Sequence, residues 1–165
     1  MKKRILTMIH HRILSGTLYA IVYNNVVQIE EFRFHHNTEG DQNTDSRLDP
    51  FRNMILDYLN GLEVDFSNML LNLSNLTLFR QSVLTAARSI PRGQTVSYEE
   101  LARRAGFPGA ARAAGSVMRN NRFPIIIPCH RVISKSGKIG GYSGMKEGVM
   151  IELKKRLLNL EGCNI

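Results

Sequence analysis

Cysteine is nearly absent from this 165-residue chain: there are two, Cys129 and Cys163, and none precedes residue 129. Two thiols that late are too few for a disulfide-built domain or for a cysteine-based zinc site, and they predict a protein of the reducing cytoplasm. The pairs His10-His11 and His35-His36 have no cysteine in their half of the chain, so they read as surface histidines, and no metal or other cofactor is expected. Long apolar runs are missing too. The longest charge-free stretch, residues 13–29, contains Ser15, Gly16, Asn24, Asn25 and Gln28 and falls short of the roughly 20 apolar residues that cross a bilayer. The basic start MKKR leads into an apolar stretch, Ile5 to Ile9, that His10, His11 and Arg12 cut off too early for a signal-peptide core. Neither export nor membrane association is expected. Repeats and low-complexity tracts are also absent.

The first half of the chain lacks positive excess. Residues 1–74 hold 7 basic and 9 acidic side chains, a net −2, whereas residues 75–165 hold 15 and 5, a net +10. Charge of that density attracts polyanions such as nucleic acid or anionic lipid, so the function is expected downstream. The length admits one compact unit or two small ones.

Three early segments, RILTMI, TLYAIVY and VVQIEEFRF, are rich in β-branched and aromatic residues, and Asn24-Asn25 suits a tight hairpin turn; together they predict a small antiparallel sheet. The polar stretch from His35 to Asp49 reads as a surface loop, and Pro50 then starts a short helix that Gly61 ends. Leu76, Phe79, Val83 and Ala87 mark an amphipathic helix halted by Pro91. Ser97 with Glu100 forms a capping box for a helix through Arg104 that Gly106 stops. After a GFPG turn comes GAARAAGSVMRNN, so rich in Ala and Gly that one face could lie almost against another surface. Two short helices joined in this way, the second carrying Arg112, Arg119 and Arg122, describe a helix-turn-helix or an ordinary helical hairpin. The last helix is expected to pack by Val149, Met150, Leu153, Leu157 and Leu160 and to close at Gly162, with Lys154, Lys155 and Arg156 on a solvated face.

Between them lies FPIIIPCHRVI, an apolar run bracketed by Pro124 and Pro128 that leads into Cys129, His130 and Arg131. A thiol reacts as thiolate and needs a neighbouring base or cation at neutral pH. Adjacent residues of a strand face opposite ways, so His130 can serve Cys129 only if the chain turns sharply there; otherwise Cys129 is a small buried residue ending a core strand. Cys163, third from the end of the chain where fraying is expected, has no base near it in sequence. Glu161 sits in the last turn of a helix, where negative charge is disfavoured, and a carboxylate can hold an imidazole in the tautomer that accepts a thiol proton.

IPCHRVI, the preceding MRNN, the following GGYSG, GQTVSYEELA, GAARAAGSVMRNN and the terminal LEG together resemble the O6-alkylguanine-DNA alkyltransferases, the methylated-DNA–protein-cysteine methyltransferases. The resemblance runs from about Phe79 to Gly162. It implies an α/β protein with a small ribonuclease-H-like N-terminal domain, residues 1–74, and a mostly helical, winged-helix-like C-terminal domain with a helix-turn-helix, residues 75–165, for DNA binding and alkyl transfer. It implies that Cys129 takes the alkyl group from guanine O6, and from O4-alkylthymine, once and irreversibly, with His130 as base, Glu161 orienting it and Asn121 holding the turn. Tyr98 and Arg112 match residues that rotate the nucleotide out and fill the gap, since a base inside a duplex is unreachable. Tyr142 and Ser143 match the pocket wall and the donor to O6, Met118 and Pro124 the lining, and Ala111, Ala113 and Arg119 further DNA contacts. The implied partner is double-stranded DNA carrying O6-alkylguanine, gripped in the minor groove with low sequence specificity by a monomer. Arg122 departs from the pattern, since many relatives have Pro after the asparagine. The rival readings are a helix-turn-helix protein that binds DNA or senses alkyl lesions without chemistry, and a cysteine hydrolase, which would need an oxyanion hole.

Overall fold

The computed structural model describes residues 2–35 and 44–163; residues 36–43, with His36 and most of the polar loop, lie outside them. The chain forms two compact units, Met1–Ser74 and Asn75–Ile165. Together they make an α/β protein with a small N-terminal sheet and a mostly helical C-terminal part.

In the first unit, strands β1 (Lys3–His10), β2 (Ser15–Tyr23) and β3 (Val26–His35) pair antiparallel in that order. Asn24 and Asn25 turn the β2–β3 hairpin at φ 48° and 60°, the left-handed pair that a two-residue turn matched to strand twist requires. Ile5, Thr7 and Ile9 of β1 and Gly16, Leu18, Ala20 and Val22 of β2 face inward with period two. β3 breaks the period: Ile29 and Phe32 are both buried although three apart. A bulge resolves this, because Tyr19 pairs with Glu31 and Ala20 with Ile29, which leaves Glu30 unpaired and returns the next apolar residue to the core. Helix α1 (Asp49–Leu59) lays Ile55, Tyr58 and Leu59 into the core, with Pro50 in its first turn and Gly61 at φ 93° beyond its end.

The second unit begins with α2 (Leu78–Arg88), whose first turn is capped by Thr77 and which buries Val83, Leu84 and Ala87. Two-residue strand β4 (Val96–Ser97) pairs parallel with β5 (Val132–Ile133). Ser97 caps α3 (Tyr98–Arg104) by accepting from the Glu100 N–H at 3.1 Å. The expected capping box is only half made, because the Glu100 carboxylate turns outward to Arg103 and Arg104 at 2.7–2.8 Å. Gly106 and Gly109, at φ 86° and 84°, shape the turn into α4 (Ala111–Arg119). The last helix, α5 (Val149–Leu160), corrects the expected stripe. Val149 is 66% exposed and Leu160 half-buried, while Leu157, Leu158 and, against expectation, Lys154 are buried. None of the described helices is long and apolar enough to cross a membrane.

Gly16, on the middle strand, has one tolerable side chain: none. A Cβ there would lie 2.6 Å from the Phe32 ring and 2.7 Å from the Arg33 carbonyl oxygen. Gly16→Ala is expected to destabilise the protein by about 1–3 kcal/mol through overpacking. Urea unfolding followed by circular dichroism measures this, and an unchanged midpoint would mean that the ring yields freely.

Candidate active site

The site is built around a turn. Leaving α4, Asn121 donates from Nδ2 to the Ile127 carbonyl at 2.9 Å and accepts the Phe123 N–H on Oδ1 at 2.9 Å. With the Ile127 N–H bonded to the Phe123 carbonyl at 2.7 Å, the run FPIII closes on itself as a buried loop, with Ile125 at φ 71°. It is not a core strand. Arg122 sits exposed on that loop. Cys129–Arg131 then form one turn of 3-10 helix. With three residues per turn, neighbouring side chains diverge by about 120° instead of opposing each other, which supplies the sharp bend that a Cys129–His130 pair needs. The β4–β5 bridge, Val96 against Val132, brings Tyr98 to the same place as the cysteine turn.

His130 is fully buried, and its Nε2 lies 2.9 Å from Glu161 Oε1. Arg131 engages the same carboxylate twice, Nε to Oε2 at 2.9 Å and Nη2 to Oε1 at 2.8 Å, and donates from Nη1 to the Ile90 carbonyl. Glu161 is held at the end of α5 by backbone. Gly162 at φ 80° donates to the Asn159 carbonyl and Cys163 to the Leu158 carbonyl, the paired closing bonds of a left-handed helix cap, and Arg92 donates to the Leu160 carbonyl at 2.8 Å. Cys163 is thereby buried at 8% exposure, not frayed, and belongs to this cap. A carboxylate acceptor fixes the proton on His130 Nε2, so Nδ1 carries the basic lone pair. Burial pushes His130 below its ordinary range, more than Glu161 raises it, so the ring is neutral near pH 7.

Cys129 is buried at the wall of an open cavity of about 190 Å³ lined by Tyr98, Met118, Arg119, Tyr142, Ser143 and Lys146, among others. Burial pushes its thiol up; hydrogen bonding from Asn121 and Tyr142 and the charge of Lys154 push it back down. Burial and the neighbouring Cys129 raise Tyr98 as well. The wall loop is tight. Tyr142 and Met145 exchange backbone hydrogen bonds at 2.9 Å, with Ser143 at φ 45° between them. Of the residues singled out in the sequence, the cavity gathers Cys129, Tyr98, Met118, Arg119, Tyr142 and Ser143. Pro124 is buried in the loop behind Asn121 and is not among its lining residues. On α4, Arg112, Ala113, Ser116 and Arg119 share one exposed face and Ala111 is half-exposed at its start, a low-relief surface with a cation at either end.

Three features escaped the sequence reading. Met145 and Lys146 reach the cavity mouth, Arg131 grips Glu161, and Lys154 donates from Nζ to the carbonyls of Val132 and Ile139 at 2.7 Å and of Gly141 at 3.3 Å. The third had a signal. Lys154 lies four residues after Met150, four before Leu158 and seven before Glu161, on the inward face of its helix.

Comparison with known proteins places this geometry. Residues 78–163 match the family described as 6-O-methylguanine DNA methyltransferase, DNA binding domain. A methylated-DNA–protein-cysteine methyltransferase of Methanothermobacter thermautotrophicus is 44% identical over 108 residues, 66% of this chain and 57% of that protein. One from Cricetulus griseus is 49% identical over 83 residues, 50% of this chain and 38% of that protein, so the chain spans about half the length of the curated relatives it matches. The crystal structure of Mycobacterium tuberculosis OGT in complex with DNA superposes with a TM-score of 0.74 at 34% identity, covering 93% of this chain and 90% of that one. With more than half its length matched and its Cys-His turn inside the matched span, the chain belongs to the O6-alkylguanine-DNA alkyltransferase family.

Proposed function

We propose that this protein repairs DNA by direct reversal, moving the alkyl group of O6-alkylguanine, and of O4-alkylthymine, onto its own Cys129. One observation carries the reading: a buried cysteine opens onto a cavity beside a neutral histidine whose far nitrogen is held by a buried carboxylate. His130 Nδ1 takes the thiol proton, Sγ attacks the alkyl carbon, the S–C bond forms as the C–O6 bond breaks, and the electron pair leaves with guanine. The guanine then recovers the proton from the imidazolium, so the sum is thiol plus alkylguanine to thioether plus guanine. Glu161 and Arg131 keep the ring in the accepting tautomer. A thioether has no acyl carbon for water to attack, so each molecule acts once.

The partner on this reading is duplex DNA. The +10 of the second half supplies attraction to phosphate, and the exposed α4 face, Arg112 to Arg119, is shallow enough to approach a minor groove without reading base edges. In this reading Arg112 occupies the space left by the extruded nucleotide, Tyr98 assists the rotation, and Ser143 donates to O6 in the cavity. A monomer suffices, and no cofactor takes part.

Intact mass after incubation with methylated DNA is expected to rise by one methyl and stop. Cys129→Ser gains nothing yet still binds DNA, and Cys163→Ser gains one methyl; repeated turnover, or equal loss in both variants, overturns the assignment.

Glu161→Gln is expected to slow transfer by about a hundredfold or more, the ordinary worth of a general base, with little change in DNA affinity. Because burial holds the Cys129 thiol up, the rate of both forms rises with pH through the neutral range. Single-turnover kinetics measure it, and unchanged rates would reduce Glu161 to a helix-end residue.

Arg112→Ala should cut repair of duplex DNA steeply while leaving reaction with free O6-methylguanine base nearly unchanged, because unstacking costs a few kcal/mol only in a paired helix. If saturating DNA restores the full duplex rate, Arg112 is a phosphate contact and the flipping role fails.

A further inference from the structure

Lys154 is a long cation with no exposed surface, and among the described residues no carboxylate pairs with it. Its three partners are carbonyl oxygens drawn from two separate pieces of the site. Val132 follows directly on the Cys129–Arg131 turn, whereas Ile139 and Gly141 begin the loop that carries Tyr142 and Ser143. Burying an ammonium without a counter-charge costs several kcal/mol after relaxation, and neutral carbonyls offset only part of that. A chain that needed only to tie two loops together could use a neutral donor. Among the described residues, the acid that acts on the charge of Lys154 is the thiol: Cys129 acts on the charge of Lys154, and Lys154 on the charge of Cys129.

We propose that Lys154 is a positioning residue of the alkyl-transfer site: its ammonium pins the cysteine turn to the cavity-wall loop, and its buried charge favours the anionic form of Cys129. The inference rests on the proposed function only in taking Cys129 as the reacting atom. The remaining ionisable groups around the thiol do not supply this charge. Burial pushes Tyr98 from α3 up, Tyr142 from the wall loop reaches the thiol as a hydrogen-bond donor, and Arg119 from α4 and Lys146 from the loop are exposed, so water screens them. On the cysteine turn itself, His130 is neutral near pH 7 and Arg131 is bound to Glu161 at the end of α5. Burial, offset in part by the charge of Cys129, pushes Lys154 down to about 8, so its ammonium persists at neutral pH and is lost as pH rises through that value. Each charge therefore supports the other: with the thiolate present the lysine holds its proton to higher pH, and with the ammonium present the thiol gives its proton up at lower pH.

The test reads the ionisation of Cys129 without DNA. Iodoacetamide alkylation of the Cys129 peptide, followed by mass spectrometry against pH, reports thiolate directly. In Lys154→Met the midpoint is expected to rise by about one pH unit or more, the usual effect of one adjacent charge, and the rate at pH 7 to fall about tenfold. Lys154→Arg, which keeps the charge, is expected to restore most of the midpoint. A uniform slowing at every pH with an unmoved midpoint would leave Lys154 a tether only and overturn the electrostatic half of the proposal. Should Lys154→Met fail to fold, the reciprocal measurement decides. The Lys154 ammonium, followed by NMR in the wild-type chain and in Cys129→Ser, is expected to titrate at lower pH in the serine variant; equal midpoints refute the coupling. Transfer assays on methylated DNA run beside these separate the two readings. Coupling present with no methyl transfer sinks the proposed function alone, and methyl transfer with no coupling sinks this inference alone.

Discussion

A carboxylate closed off from water has to be surrounded by donors, and the C-terminal unit is arranged to do that for Glu161. Its position at the end of α5 is unfavourable in itself, because the helix carbonyls face it. The two Arg131 bonds and the His130 ring offset this, and all three reach it from a turn about thirty residues upstream. Removing Arg131 takes away the counter-charge of this buried carboxylate, a loss of about 3–5 kcal/mol when a buried pair is broken from one side. The turn that presents Cys129 and the end of the last helix are consequently one object. The cap at Gly162 and Cys163, the Arg92 bond to Leu160 and the Arg131 bond to Ile90 all hold that object still.

What the sequence displayed most legibly was local. Asn24-Asn25, Ser97, Gly106 and Gly162 announce turns and caps through chemistry that acts within four residues, and each does so where expected. The bulge in β3 was not read, although Ile29 and Phe32 stand three apart and cannot share a face of an unbroken strand. Long-range pairings were not legible. Nothing in the spacing of His130 and Glu161 says that they meet, and the run FPIII reads as a strand by composition although Asn121 folds it into a loop. Lys154 was misread because three adjacent cations look like a solvated face, while helical period puts only the first of them inside. The cavity itself is a product of the fold, with walls from α3, α4, the cysteine turn and the loop before α5.

Charge and relief cooperate on α4. Arg112 and Arg119 lie seven residues apart, two helical turns on one side, with Ala113 and Ser116 exposed between them. Small side chains there let backbone come close to a partner surface, and Gly115 on the flank leaves room for the Tyr98 ring, 3.6 Å from where its Cβ would stand. A larger residue at position 115 would meet the ring at the cavity edge.

Burial of the thiol has a chemical logic when the molecule acts once. A thiolate exposed at rest is open to oxidation and stray alkylation, and under the proposed single-transfer function each such event would consume a molecule that cannot be regenerated. Desolvation favours the protonated form of Cys129, while hydrogen bonding from Asn121 and Tyr142 and the charge of Lys154 oppose it. In the proposed mechanism His130 is the base that removes the proton: burial pushes its pKa down, and the bond to Glu161 leaves the lone pair on Nδ1. The same desolvation thus quiets the nucleophile and readies its base, and a catalyst that had to regenerate its thiol thousands of times would gain less from the first effect than a protein that uses it a single time.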